Sequence, residues 1–331
     1  MQAIILAAGK STRTFPLTLT RPKPLLKVGK KTLLEHNLEQ LDGLFDEVIL
    51  VIGYRKDMLI NFVNKIKGKY RFKIAFVEQK EQLGTGHALL QAKDAVNGKF
   101  LAMMGDDLYS KKDIEKCMKH GYCILAKKVR EPSNFGILEV IGRNVKGIIE
   151  KPQLRFSDLA NCALYVFDRR IFEEIEKTKK SARREYELTG AIKLLAQNTD
   201  VPYVLADDWI PVGYPWDLFE VKKAWGIKGN AVGDNCKIKG DARDSIIMDK
   251  SIIEKGSYVE NSIIGESAYF SGIAKAADNV VSVVKGLPRD AGRLGAIIGD
   301  GVKAENVNIK PGCKIWPGMK IKGEINEDVE I

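Results

Sequence analysis

Leu6, Ala7, Ala8, Gly9, Lys10, Ser11, Thr12 and Arg13 end in the letters of a phosphate-binding P-loop, but the spacing is wrong for one. That loop reads G-x-x-x-x-G-K-[ST], and counting back from Gly9 puts Ile4 where its first glycine must stand. No G-x-G-x-x-G follows either, which excludes a dinucleotide fingerprint. The segment instead offers a main chain almost bare of side chains at Ala7, Ala8 and Gly9, followed by Lys10, Arg13, Arg21 and Lys23. Small residues let a bulky ligand approach the backbone, and clustered cations neutralise polyphosphate. An ordinary strand-to-helix turn with solvated charges has the same letters.

Two more segments carry groups able to do chemistry. In EQKEQLGTGHAL (78–89), Gln79 supplies an amide that suits a base edge, and Gly84, Thr85 and Gly86 allow close wrapping around a ligand. A helix entry capped by Thr85 accounts for the same pattern. In MMGDDLYS (103–110), Gly105 is followed by the carboxylates Asp106 and Asp107. A carboxylate ending a parallel strand and facing phosphates is placed to hold Mg²⁺, although Gly-Asp is also a common turn pair. His87 follows the glycine loop on an apolar face with no second histidine near, so it reads as a packing or helix-entry residue, as do His36 and His120.

These groups need elements to hold them. Apolar runs over 46–53, 72–78 and 99–104 predict buried strands, and helical spacing recurs over 31–41, 57–66 and 85–96. Alternation of this kind predicts an α/β domain with a mostly parallel sheet, whose ligands lie beyond the carboxyl ends of the strands. From about residue 231 the texture changes: Ile247, Ile253 and Val259 stand six apart, as do Ile309, Ile315 and Ile321, with turn residues between them. A six-residue aliphatic period predicts a β-helix of hexapeptide repeats. Residues 276–295 break the period and read as a loop. The boundary falls near 222–230, giving domains 1–226 and 227–331.

Bulk properties agree with a folded, two-domain chain of 331 residues and 45% hydrophobic content. The net charge of +10 is spread along the chain without a basic block, which argues for a solvated surface and against nucleic acid. The five scattered cysteines form no C-x-x-C pair, so neither zinc nor a disulfide framework is indicated. The first strand begins at residue 2, leaving no room for a signal peptide, and no run reaches membrane-spanning length, so a cytoplasmic protein is expected.

In this order and spacing, LAAGKSTR, RPKP, QKEQLGTGHA and MGDD resemble the sugar-1-phosphate nucleotidyltransferases. NFGILEV (134–140), IIEKP (148–152), NCALYVFD (161–168), EYELTGAIKLL (185–195) and the hexapeptide tail extend the likeness over nearly the whole chain, most closely to archaeal enzymes that make UDP-N-acetylglucosamine or UDP/dTDP-glucose. The resemblance implies a Rossmann-like nucleotidyltransferase domain with a mixed, mostly parallel sheet, then a left-handed parallel β-helix. It implies that Leu6, Ala7, Ala8, Gly9, Gln79, Gly84, Thr85 and Gly105 bind a nucleoside triphosphate. Arg13 and Lys23 would stabilise phosphate charge, and Asp106 would hold Mg²⁺. Gly136, Glu150 and Asn161 would hold the sugar, and Lys151 its phosphate. The expected partners are the two substrates and further copies of the chain packed through the β-helix, with no membrane.

Two departures stand out. The usual loop reads G-x-G-[ST]-R, and its second glycine is here Ser11. Relatives carry an acidic or amide metal ligand in W-x-D-x-G, where this chain has Pro211; Asp107, Asp207, Asp208 and Asp217 are candidate substitutes. Either one carboxylate with phosphates and water suffices for Mg²⁺, or the site is catalytically impaired. Bifunctional relatives add a histidine-based acetyltransferase, but no histidine lies beyond residue 120 here, so that activity is not expected in 231–331.

Overall fold

A computed structural model describes residues 1–330. The chain forms two compact units: Met1–Lys10 with Leu34–Pro211, and Ser11–Leu33 with the chain from Val212 onward. No helix among the described residues is long and apolar enough to cross a membrane.

Nine strands of the first unit make one mixed sheet. β1 (Gln2–Ala7), β2 (Glu47–Ile52), β3 (Lys73–Glu78) and β4 (Phe100–Met104) run parallel in the order β4-β1-β2-β3. The centre of β1 and β2 is fully buried, which explains runs of Ile, Leu and Val without alternation. The other half holds β5 (Cys123–Lys128), β6 (Gly136–Ile141), β7 (Asn144–Glu150), β8 (Leu159–Phe167) and β9 (Tyr203–Leu205). Here β8 runs antiparallel between β4 and β5, β9 extends parallel to β5, and the β6–β7 hairpin hangs from β8. The helices α1 (Leu33–Leu41) and α2 (Lys56–Ile66) follow their sequence patterns. Next, α3 (Thr85–Leu90) is shorter than expected. Its last turn tightens, Gln91 and Ala92 bonding back to Ala88 and Leu89, and a 3-10 turn over Lys93–Ala95 finishes the segment.

α4 (Lys111–Met118) begins with a Ser110 cap whose hydroxyl accepts the Asp113 N–H. Asp113 is buried and accepts the N–H groups of Asp207 and Asp208, at 3.0 and 2.9 Å, and Lys116 at 3.0 Å. Burial works to raise its carboxyl, but these backbone and side-chain donors outweigh it and hold the group below the ordinary carboxylate range. A depressed native value means that the stabilisation is complete above the unfolded carboxylate pKa of about 4 and fades as pH falls through the lower native value. Thermal scans below about pH 4 should therefore show a steeper loss of Tm for the native chain than for Asp113→Asn.

After a short helix, Leu218–Ala224, the chain winds a left-handed parallel β-helix from Ala231 onward. One face stacks Val232, Ile247, Ile264, Ile298 and Ile315 in register; a second stacks Ile238, Ile253, Phe270, Ala304 and Ile321; a third stacks Ala242, Val259, Ala274, Ile309 and Ile325. Residues six apart in sequence thus occupy successive faces of one coil, with the aliphatic member turned inward. The expected loop at 276–295 is instead a hairpin, Ala277–Val284 against Leu287–Leu294. Val280, Ser282 and Val284 are buried while Val281 and Val283 are exposed, a two-residue alternation that the six-residue frame obscured. Lys285 and Gly286 make its turn, both at positive φ.

Candidate functional site

In the first unit the carboxyl ends of β1 and β4 meet. The Gly105 N–H donates to the Leu6 carbonyl at 2.9 Å, and a Cβ at Gly105 would lie 2.9 Å from Ile5 Cγ2 and 3.3 Å from Ala7 Cβ. Only a glycine lets the chain leave β4 this close to β1, and the turn carries half-buried Asp106 to the end of Leu6, Ala7 and Ala8. Gly9 follows and is exposed. The loop that carries Gln79 is drawn to the same edge. Gln79 N–H donates to the Ile52 carbonyl, and the Gln82 amide lies against Gly53 and Ala8, where a Gly53 Cβ would be 2.8 Å from Gln82 Nε2 and 2.9 Å from the Ala8 oxygen.

Gln79 is buried, and its Nε2 donates to the Gly84 carbonyl at 3.1 Å and lies 3.0 Å from His87 Nδ1. The second ring nitrogen of His87 is 3.2 Å from Gln91 Nε2. His87 therefore fixes the Gln79 amide, a role that sequence reasoning missed; its closeness in sequence to the Gly84–Thr85 turn was the one signal on offer. His87→Ala should raise the nucleotide KM about tenfold with little change in kcat, checked by steady-state kinetics, since it removes binding made equally in ground and transition states. Thr85 is committed to architecture: its hydroxyl accepts the Leu188 N–H that opens the helix Leu188–Asn198, at 3.1 Å. Gly86 N–H donates to the Tyr186 carbonyl, and Tyr186 N–H to that of Leu83, stitching the glycine loop to EYEL.

The expected sugar residues also assemble. Gly136 pairs directly with Glu150 across the β6–β7 hairpin, and a Cβ on Gly136 would lie 2.9 Å from Glu150 Oε2 and 4.0 Å from Asn161 Cβ. Asn161 is oriented by the Tyr165 hydroxyl at 2.7 Å and the Ala163 N–H at 3.0 Å. Lys151 takes positive φ, its N–H on the Phe135 carbonyl. Arg183, 3.4 Å from Glu150, is a neighbour that no sequence motif singles out.

Arg13 and Lys23 belong to the second unit. Ser11 has φ 50 and ψ 52, the left-handed conformation that the usual glycine would take without strain. Its carbonyl accepts the hydroxyls of Thr14 and Thr18, at 2.7 and 2.8 Å, which ties the loop into a knot. Arg13 lies over the Tyr214 ring, 5.9 Å from its centroid, and Tyr214 stacks on Trp216. Lys23 is buried at the start of a short 3-10 turn, Lys23–Leu25.

The residues fit Mg²⁺ through one carboxylate. No group of three acidic, histidine or cysteine residues able to hold a metal occurs among the described residues. Three of the four candidate substitutes for Pro211 have other duties. Asp207 pairs with Lys112 and Lys116, at 2.6 and 2.8 Å, and these hydrogen bonds pull its carboxyl down to about 2. Asp217 spends Oδ2 on the N–H groups of Gly213 and Tyr214. Asp107 accepts Trp209 Nε1 at 3.2 Å. Asp106, the carboxylate that the family resemblance implies for the ion, lies half-buried in the turn after β4 and would offer Mg²⁺ one ligand.

Comparison with known proteins shows the family. Residues 2–226 match the family described as Nucleotidyl transferase. The chain is 33% identical over 401 aligned positions to the bifunctional protein GlmU of Methanocaldococcus jannaschii, covering 100% of this chain and 96% of that protein. It is 32% identical over 407 positions to a bifunctional sugar-1-phosphate nucleotidylyltransferase/acetyltransferase of Sulfurisphaera tokodaii, covering 99% and 98%. Among solved structures, a UDP-glucose pyrophosphorylase complexed with UDP-glucose superposes with a TM-score of 0.61 at 24% identity, over 68% of this chain and 98% of that one, a likeness of fold.

Proposed function

The chain belongs to the nucleotidyl transferase family, and we propose that it joins a nucleoside triphosphate to a sugar 1-phosphate, releasing pyrophosphate. The observation that carries this reading is the junction of Gly105, the residue before Asp106, with Leu6 and Ala7 at the carboxyl ends of β4 and β1, in the mixed sheet that also presents the Gly136–Glu150–Asn161 cluster. An oxygen of the sugar phosphate attacks the α-phosphorus in line, the P–O bond to pyrophosphate breaks, and no protein nucleophile is needed. Catalysis is then positioning and charge neutralisation. Arg13 grips the leaving phosphates, Lys23 stabilises charge at the α-phosphate, Gly136, Glu150 and Asn161 hold the sugar, and Lys151 holds its phosphate. Asp106 would hold Mg²⁺, which when bound neutralises phosphate oxygens.

UTP is the favoured nucleotide, with dTTP next. Gln79 has two amide hydrogens, spent on Gly84 and His87. Its carbonyl is left to read a base, and it accepts the N3–H that uracil and thymine share. Glucose 1-phosphate and N-acetylglucosamine 1-phosphate are the favoured sugars; GTP with mannose 1-phosphate is the weaker pairing. We place this activity in residues 1–226 and assign 227–331 to the β-helix, through which copies of the chain would pack. Histidine-based acetyl transfer is not proposed there: the three histidines are His36, His87 and His120. The 401 aligned positions against 331 residues leave 70 without a counterpart in this chain.

A pyrophosphate-release assay over the four common NTPs and several hexose 1-phosphates tests the proposal. Turnover with none of them, at any Mg²⁺ concentration, overturns it. Pro211 favours one second reading, a sugar-nucleotide sensor or regulatory subunit. That reading requires calorimetric binding without product, and a large gain of activity in Pro211→Asp.

A further inference from the structure

One corner of the β-helix carries four carboxylates in a row. Val232, Ile247, Ile264 and Ile298 stack in register, and two residues beyond each stands Asp234, Asp249, Glu266 or Asp300. Neighbouring coils are about 4.8 Å apart, a separation at which like charges repel and need counterions. The coils are closed so tightly here that a Cβ on Gly233 would lie 2.3 Å from Asp249 Oδ1, and one on Gly265 2.7 Å from Asp300 Oδ1.

The counterions come from the segment around Lys23. Arg21 Nη2 contacts Glu266 Oε2 at 2.9 Å and Asp300 Oδ2 at 2.5 Å, bridging two coils. The Thr20 hydroxyl donates to the same Asp300 oxygen. Lys27 Nζ reaches Asp249 at 2.6 Å and Asp234 at 3.7 Å, and Lys30 reaches Asp234 at 3.7 Å. Of the bridging contacts from outside the segment, Lys250 on Glu266 at 3.4 Å is long and exposed. The Arg21 side chain is only 10% exposed and that of Asp300 13%, so this pair is shielded from the screening that makes surface pairs weak. Thr20, Arg21 and Lys27 flank Pro22–Lys23 on both sides.

We propose that this acidic corner is a positioning device for nucleotidyl transfer: Asp300, Glu266 and Asp249 hold Arg21 and Lys27, and thereby fix the backbone that presents Lys23. This rests on the transfer role proposed above for Lys23.

The test uses the full chain and two readouts. Asp300→Asn should lower kcat about tenfold with the sugar 1-phosphate KM nearly unchanged, because a displaced Lys23 is missed mainly in the transition state. Amide hydrogen exchange should rise in the peptide spanning 20–26 and stay constant in the coils. Asp300→Glu, which keeps the charge, should recover most of both. Glu254→Gln, which breaks the exposed Lys239 pair elsewhere on the β-helix, should change neither. Unchanged exchange in Asp300→Asn overturns the proposal, as does raised exchange with unchanged kcat. An inactive native chain would overturn the transfer reading alone, and the exchange arm would still decide whether the corner holds the loop.

Discussion

Asp106→Asn should lower kcat/KM for nucleotidyl transfer about 100- to 1000-fold while leaving Tm nearly unchanged. The side chain sits in the turn after β4, half-buried and outside the core, so an isosteric amide disturbs no packing. What it removes is the negative charge that follows Gly105, whose N–H is bonded to Leu6 at the strand end where a cation and the triphosphate would meet. A preorganised electrostatic group of this kind contributes roughly 3–4 kcal/mol to the transition state, which converts to that loss of rate. If Asp106 is the cation ligand, a Mg²⁺ titration of the residual activity should also shift to higher concentration. Pyrophosphate release measured across Mg²⁺ gives both numbers, and a variant within about threefold of the native rate would remove Asp106 from the proposed chemistry.

Gly84→Ala should cost about 3 kcal/mol of stability and weaken nucleotide binding at the same time. Gly84 has φ 113 and ψ 174, a conformation essentially reserved for glycine. A Cβ there would stand 2.6 Å from the Tyr186 oxygen, 2.9 Å from its nitrogen and 3.0 Å from Glu185 Cβ. The two Tyr186 atoms are backbone and already hydrogen-bonded to Gly86 and Leu83, so they cannot withdraw without undoing the stitch between the loop and the segment that leads into the helix Leu188–Asn198. The Gly84 carbonyl also receives Gln79 Nε2, so any shift disturbs the amide proposed to read the base. Calorimetry should show Tm lower by several degrees, and titration with UTP a weaker Kd. Gly68→Ala, at an exposed position with open space around it, is the control and should leave both unchanged.

The parallel strands, their order of alternation with helices, and the hexapeptide period were legible because each is written locally. A buried strand declares itself by a short apolar run, and a β-helix coil by aliphatic residues six apart. The candidate phosphate and metal groups were legible for a related reason: small residues, cations and carboxylates at strand ends are recognisable one segment at a time. The hairpin at 277–294 was hidden only by a competing period, since its alternation and Lys-Gly turn are present in the sequence.

Tertiary structure decided what depends on register between distant segments. Thr85 looked like a cap for its own helix, yet it receives the first N–H of a helix more than 100 residues away. Glu150 meets Gly136 because a hairpin aligns them, and His87 gains meaning only when Gln79 folds back on it. The acids at 234, 249, 266 and 300 lie at unequal intervals, interrupted by a hairpin, and they become one row only when the coils stack. Hydrophobic periodicity fixes which residues turn inward; which polar groups meet is settled by how those inward faces align, and that alignment is a property of the packed chain.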